Sequence, residues 1–299
     1  MWIMKPPLGE YYDVNGRELL LHREGSGAPA VVFLPGAGAV GMDYWDAQRR
    51  AAAFTTSVFY DRAGTGWSES VDLPRSSAEV TDELDALLRS AKVPGPYVLA
   101  GHSLGALYAR HYASRFPDKV AGLVLMEPAH EDYRAYMPRE LVERWDAWDP
   151  ADALPDELPG EILEFYRVLF EQETADWPAD LREPLVDSHV SREWLLTGIR
   201  EAANIEAVRD EIRAAGPLPD VPLIILTALA IDPFKQAVSA GVPEKLLQAE
   251  NDGKTRLYNE FAASVPRGEN RIVEDAGHVT LPFRRPDAVV QAIRDVLAL

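Results

Sequence analysis

The chain predicts an α/β protein: a mostly parallel sheet with helices on both faces, interrupted late by an all-helical segment. Three observations carry that expectation. Short apolar runs that stop at glycine recur along the chain, as buried parallel strands do. Amphipathic stretches with apolar residues three and four apart separate those runs. The alternation then lapses over 131–220, where helical runs, prolines and tryptophans replace it.

RELLLHREG (17–25) follows Asn15-Gly16, the dipeptide of a tight hairpin turn, and reads as a strand. APAVVFLPGAG (28–38) is an apolar run that halts at glycines, and SVFYDRAGTGWSES (57–70) is another, ending in a glycine-punctuated loop. SSAEVTDELDALLRSAKV (76–93) opens with a serine cap and keeps helical spacing. YVLAG (97–101) is a strand and GALYARHYASRF (105–116) a helix. KVAGLVLMEPAH (119–130), VPLIILTALAIDPF (221–234) and NRIVEDAGH (270–278) complete the strands, and PDAVVQAIRDVLAL (286–299) closes the chain as a helix. Parallel strands need such crossovers, which place helices on the sheet's faces.

Between these strands lie EILEFYRVLF and SREWLLTGIREAANIEAVRDEIRAA, both helical in pattern. Trp145, Trp148, Trp177 and Trp194, four of the seven tryptophans, fall here, with prolines at 138, 150, 155, 159, 178 and 184. The expected organisation is a core of residues 1–130 and 221–299 with a helical cap over 131–220. Most of the cap's rings are expected to pack its own interior, and the rest to roof an apolar pocket.

The 299 residues carry a net charge of −18 and no cysteine. Disulfides, thiolate zinc sites and iron–sulfur clusters are thereby excluded. A strongly acidic surface repels phosphates, which argues against nucleic acid or an anionic membrane as partner. No stretch approaches the roughly 18 uncharged apolar residues of a membrane span. The prolines at 6 and 7 interrupt any apolar signal core, so a soluble, cytoplasmic protein is expected. The sequence gives no indication of oligomeric state.

Gly101-His102-Ser103-Leu104-Gly105 stands where a strand meets a helix. A nucleophilic serine at such a joint needs a strained backbone that lifts its hydroxyl clear of the sheet. Glycines two residues to either side remove side chains that would collide there. The following helix aims its N-terminal amides at the charge that develops in reaction. The hydroxyl also needs a base. Of the six histidines, His22 and His111 sit in regular elements and read as structural, while His130 stands at the entrance to the helical segment and His189 within it. His102 adjoins the serine and should point elsewhere. His278, in EDAGHVTL after the last strand, lies where open α/β sheets place their chemistry and is the candidate base.

An acid must orient that histidine, and two carboxylates qualify. Asp232 follows the run PLIILTALAI (222–231), and Glu127 follows GLVLM (122–126); either can reach the imidazole from an adjacent strand end. For the oxyanion, the Leu104 amide comes with the elbow. The Ala37 amide, in the Gly36-Ala37-Gly38 loop, is the second expected donor.

Over nearly its whole length the chain resembles the α/β-hydrolase family, which implies an eight-stranded sheet. LPGAG takes the place of the family's His-Gly-x-Gly, with Pro35 where histidine is common, and DRAGTGWSES is similar to its Asp-x-x-Gly-x-Gly-x-Ser loop. GHSLG matches its elbow, and VEDAGHVTLPFRRPDAVVQAI its C-terminal histidine segment. A serine at 103 separates the chain from relatives that use aspartate there. The family's usual acid pattern is disturbed, because Ala228 replaces a glycine and Asp232 comes one residue late. Glu127 instead has the spacing of relatives whose acid follows the sixth strand, among them the lactonase that opens zearalenone. The resemblance therefore implies a serine esterase or lactonase acting on a hydrophobic small molecule through Ser103, His278 and Glu127, with Asp232 as the alternative acid and no metal or cofactor. Amide cleavage of the proline iminopeptidase kind, C–C bond hydrolysis and a weakly catalytic ligand receptor are the competing uses of the same parts. For the first, the carboxylates Glu161, Glu164 and Asp176 would supply an amine anchor.

Overall fold

The computed structural model describes residues 6–147 and 160–299. Residues 1–5 and 148–159, including Trp148, Pro150, Pro155 and Pro159, lie outside the described residues. Eight strands form one sheet: β1 (Glu10–Val14), β2 (Arg17–Glu24), β3 (Ala30–Leu34), β4 (Ser57–Tyr60), β5 (Tyr97–His102), β6 (Val120–Met126), β7 (Leu223–Ala228) and β8 (Gly268–Val273). Their order is β1-β2-β4-β3-β5-β6-β7-β8. The β1–β2 and β2–β4 pairs are antiparallel and the remainder parallel. The resemblance implied eight strands, and seven were legible as runs. β1 (EYYDV) escaped because most of it is exposed and only Val14 is buried.

The central strands are apolar on both faces, and alternate residues serve two separate cores. Val32, Leu34, Leu99, Leu123, Leu125 and Ile225 pack with α2 (Ser77–Ser90), α3 (Leu104–Arg115) and α11 (Glu244–Ala263). Val31, Phe33, Ala100, Val124, Met126 and Ile224 pack with α1 (Trp45–Ala51) and α13 (Pro286–Ala298). The period of two along each strand sets this division, and burial on both faces erases the polar half of the pattern. α2 starts at a full capping box, with Ser76 and Glu79 each satisfying the other's backbone amide.

Among the described residues, the chain from β6 to β7 is helical: α4 (Tyr133–Tyr136), α5 (Arg139–Asp146), α6 (Gly160–Glu173), α7 (Ala179–His189), α8 (Arg192–Ala202) and α9 (Ile205–Ala214). The run that read as one helix over 191–215 is two, broken at Ala203-Asn204, where the Asn204 side-chain Nδ2 donates to Arg75 O at 3.0 Å. The break lets α9 turn down onto α3, placing Val208 and Ile212 in the main core. Glu211 of α9 accepts the amides of Ser77 and Ala78 at 3.1 and 2.9 Å, at the positive end of α2. α6, α7 and α8 stay above the strand ends, where Leu169, Phe170 and Val186 cluster with Phe234 of α10 (Pro233–Val238). The 20-residue α11 had no counterpart in the sequence reading, because its polar composition and central Gly253 obscure the stripe Leu247, Leu257, Phe261.

At the joint between β5 and α3 the chain passes very close to β3. A methyl group on Gly105 would overlap the Leu34 and Pro35 carbonyl oxygens, and one on Gly101 would press on Ala106. We expect Gly105→Ala to destabilise the fold by about 3 kcal/mol, as overpacking against rigid backbone does. Thermal unfolding followed by circular dichroism measures this; an unchanged midpoint would show that β3 and α3 can separate freely.

Candidate active site

Ser103 occupies that joint with φ 51° and ψ −119°, a left-handed conformation that costs a residue with a side chain about 1–3 kcal/mol. The surroundings impose it: the Ser103 amide donates to Met126 O at 3.1 Å, and its carbonyl accepts from Ala106 and Ala129. The side chain thereby faces the cleft at the carboxyl ends of the strands. Its Oγ lies 3.1 Å from Nε2 of His278, which sits between β8 and α12 (Leu281–Arg284) with its side chain 45% exposed.

On the other side of the imidazole, Nδ1 is 3.4 Å from Oε2 of Glu127. Glu127 also has a left-handed backbone, φ 44°, at the end of β6, and only 2% of it is exposed. Its Oε1 accepts the Ala228 amide at 2.7 Å, and its Oε2 accepts Lys254 Nζ at 2.9 Å. Lys254 rises from α11, also buried, and donates a second bond to Ala228 O at 2.5 Å. Burial alone would raise the Glu127 pKa; the Lys254 ammonium, then His278, override it and hold the carboxyl down to about 2. Lys254 belongs to the helix that the sequence reading missed. The four-residue step from Glu250 to Lys254 to Tyr258 on its buried face was the signal available.

Asp232 is engaged elsewhere. Its Oδ1 accepts the Lys235 amide at 2.9 Å as the N-cap of α10, and its Oδ2 accepts the Thr280 hydroxyl at 2.6 Å. Thr280 Oγ1 in turn accepts the Gly277 amide, so Asp232 braces the turn that carries His278. The structure thus joins Ser103, His278 and Glu127 in one chain of contacts and sets Asp232 beneath the histidine loop.

The other histidines are accounted for by packing and polar contacts. His102 points away from the serine: Nε2 donates to the His278 carbonyl at 2.9 Å, which leaves Nδ1 to accept from the Tyr44 hydroxyl at 2.7 Å. Burial lowers its pKa to about 3, so the ring is neutral and steadies the histidine loop. His111 bonds Ser77 Oγ, and His130 accepts the Asp132 amide. His22 lies against Phe59. His189 of α7 pairs with Asp43 at 3.2 Å at the edge of the cleft.

Ala37 lines the cleft with Gly36, Gly38 and Ser103. Among the described residues no protein acceptor takes its amide, nor that of Leu104 at the start of α3. The cleft encloses about 260 Å³ between the strand ends and α6, α7 and α8. Tyr166, Phe170, Trp194, Phe234 and Phe283 are among the residues of its wall. Of the tryptophans singled out in the sequence, Trp194 reaches the cleft, whereas Trp177 packs on Trp45 and Trp145 on Tyr133. Glu161, Glu164 and Asp176 do not line it; the carboxylate that does is Asp43. A wider groove of about 450 Å³ between α3, α9 and α11 lies away from the serine, and its Arg110 is already held bidentately by Glu131.

Residues 31–292 match the model of the alpha/beta hydrolase family, and the chain belongs to that family. The uncharacterized protein YqjL of Bacillus subtilis is 32% identical over 123 residues, which is 40% of this chain and 48% of that protein. The match covers less than half the length of the first curated relatives, with 48%, 14% and 37% of each aligned. Among solved structures, the enol-lactonase from Burkholderia xenovorans LB400 superposes with a TM-score of 0.58 at 21% identity, over 97% of this chain and 100% of that one. A thermophilic esterase from Thermogutta terrifontis gives 0.58 at 21% identity, over 97% of each chain. At that identity the likeness is one of fold. No described helix is long and apolar enough to cross a membrane.

A carboxylate whose pKa falls on folding adds stability above its unfolded value and loses it as the pH drops toward its folded one. For Glu127 that window runs from 4.5 down to about 2. Lys254→Met removes the chief cause of the depression and leaves a buried charge without its partner. We expect a loss of about 3 kcal/mol at pH 7 and an acid-unfolding midpoint shifted to higher pH. Acid titration by circular dichroism reads both effects; coincident curves would disprove the coupling.

Proposed function

We propose that the protein hydrolyses a carboxylic ester or lactone of a hydrophobic small molecule through an acyl-enzyme, with Ser103 as nucleophile, His278 as base and Glu127 as acid. The observation that carries this reading is the unbroken path from Ser103 Oγ through both nitrogens of His278 to Glu127, on the wall of an aromatic cleft. His278 Nε2 takes the proton as Oγ attacks the carbonyl carbon. The amides of Ala37 and Leu104 hold the resulting oxyanion. Collapse breaks the carbon–oxygen bond to the alcohol, which leaves with the proton from His278. Water then attacks the acyl carbon with the same histidine as base, and the acid and free serine are released. Glu127, kept ionised by Lys254, holds the imidazole in its Nδ1–H tautomer and stabilises the imidazolium. The 3.4 Å separation is the loose geometry common before a substrate binds.

Helices α6, α7 and α8 are the cap in this reading. Their rings favour an apolar or aromatic substrate. Two of the folds it resembles are named as an enol-lactonase and an esterase, which accords with ester chemistry.

Assays with chromogenic short-chain esters test the proposal. Ser103→Ala is expected to lower kcat at least about a thousandfold. Turnover equal to wild type would refute the serine mechanism, and faster cleavage of aminoacyl anilides than of phenyl esters would make the enzyme an amidase. Glu127→Gln is expected to lower kcat by about a hundredfold to ten-thousandfold, since the histidine then favours the wrong tautomer. Asp232→Asn should instead lower the melting temperature and cost less than about tenfold in kcat. The reverse ranking would assign the acid to Asp232.

A further inference from the structure

In the loop after β3, the amides of Gly36 and Gly38 and the carbonyls of Pro35, Gly36 and Gly38 around the Ala37 amide are engaged. The Gly36 amide donates to the Tyr44 hydroxyl at 3.3 Å. The Gly38 amide donates to Glu201 Oε2 at 2.8 Å, and the Gly38 carbonyl accepts Trp194 Nε1 at 2.7 Å. Arg62, 1% exposed, donates to Pro35 O at 2.6 Å and Gly36 O at 2.8 Å. Two further donors meet Glu201: Nε to Oε1 at 2.9 Å and Nη2 to Oε2 at 3.0 Å. Glu201 is 4% exposed and comes from α8, 139 residues further along the chain. α8 reaches the loop because Gly198 lets its backbone meet Gly38 directly.

The Gly36 carbonyl and the Ala37 N–H belong to one planar, conjugated peptide group. A guanidinium on that oxygen draws density from the nitrogen and makes the N–H a stronger donor, in the sense in which linked hydrogen bonds polarise one another. The carboxylate holding the Gly38 amide fixes the next peptide plane, in a residue whose φ is +71°. Together they would govern both the direction and the strength of the Ala37 amide, which lines the cleft with Ser103.

We propose that Arg62 and Glu201 are positioning residues that orient and polarise the Ala37 amide for the oxyanion, so that the helical segment contributes to transition-state stabilisation as well as to pocket shape. The inference rests on the ester-hydrolase reading above. Neither residue touches substrate, and the effect should appear only when negative charge develops.

The test compares two ligands. An alkyl boronic acid accepts Ser103 Oγ at boron while the serine proton passes to His278; no group leaves, and the adduct is a tetrahedral anion. An alkyl alcohol of the same length fills the cleft without gaining charge. In Glu201→Ala, kcat should fall about ten- to a hundredfold with KM within threefold, somewhat less than outright loss of an oxyanion donor. Boronate affinity should weaken by a similar factor while alcohol inhibition stays constant. Glu201→Gln, which keeps an acceptor for the Gly38 amide but not the charge, should fall between this and wild type. If Glu201→Ala fails to fold, the double variant Arg62→Met/Glu201→Met leaves no stranded charge and should show the same selective loss. Unchanged kcat and boronate affinity in a folded variant, or boronate and alcohol binding weakened alike, would overturn the proposal. Inactive Ser103→Ala beside fully active Glu201 variants would overturn this inference alone, whereas active Ser103→Ala would overturn the hydrolase reading beneath it.

Discussion

The first turn of α3 lies against the carbonyl end of β3 at a distance that only glycine allows, and the arrangement of the cleft depends on that contact. It forces the left-handed backbone at Ser103, turns the hydroxyl out of the sheet and sets the Leu104 amide beside it. The same contact brings the Gly36-Ala37-Gly38 loop across from the serine, so the two unclaimed amides come from the two chain segments that meet there. Burial of the central strands on both faces keeps these strand ends rigid, since neither layer of helices can shift without opening a core.

Glu127 is the second strained residue in the site, and its stability has a different source. Its position removes a carboxylate from water, which by itself favours protonation. The arrangement holds because Lys254 brings a cation to the same oxygen that faces His278, and because Ala228 supplies an amide to the other. The β7 end is thereby relieved of contact with the imidazole. Asp232 there ties α10 to Thr280 and so supports the histidine loop from below. Two neighbouring strand ends thus divide the work, one meeting the histidine ring and the other bracing, through Thr280, the turn that carries it.

Much of this architecture was legible because parallel strands covered on both faces leave unbroken apolar runs, and because elbow glycines have a steric cause that local sequence expresses. Ser103 and His278 stood out for that reason. The choice between Glu127 and Asp232 did not, since both follow apolar strands and differ in where their hydrogen bonds go. That depends on Lys254, 127 residues beyond Glu127, in a helix whose polar composition hides its buried stripe. The break at Asn204 was equally hidden: both halves of the run have helical spacing, and the turn between them is set by contacts with Arg75 and α3. Arg62 within DRAGTGWSES looked like part of a loop motif, and nothing near it in sequence marks Glu201 as its partner.

The Arg62–Glu201 pair has a consequence for how such proteins diversify. A buried guanidinium stripped of its carboxylate costs about 3–5 kcal/mol, a large share of a domain's net stability. A helical segment grafted from a relative would strand this arginine unless it brought an acid to the same spot. The two parts of the molecule are therefore not freely exchangeable modules: a change of the helical segment must either preserve residue 201 or replace residue 62 at the same time.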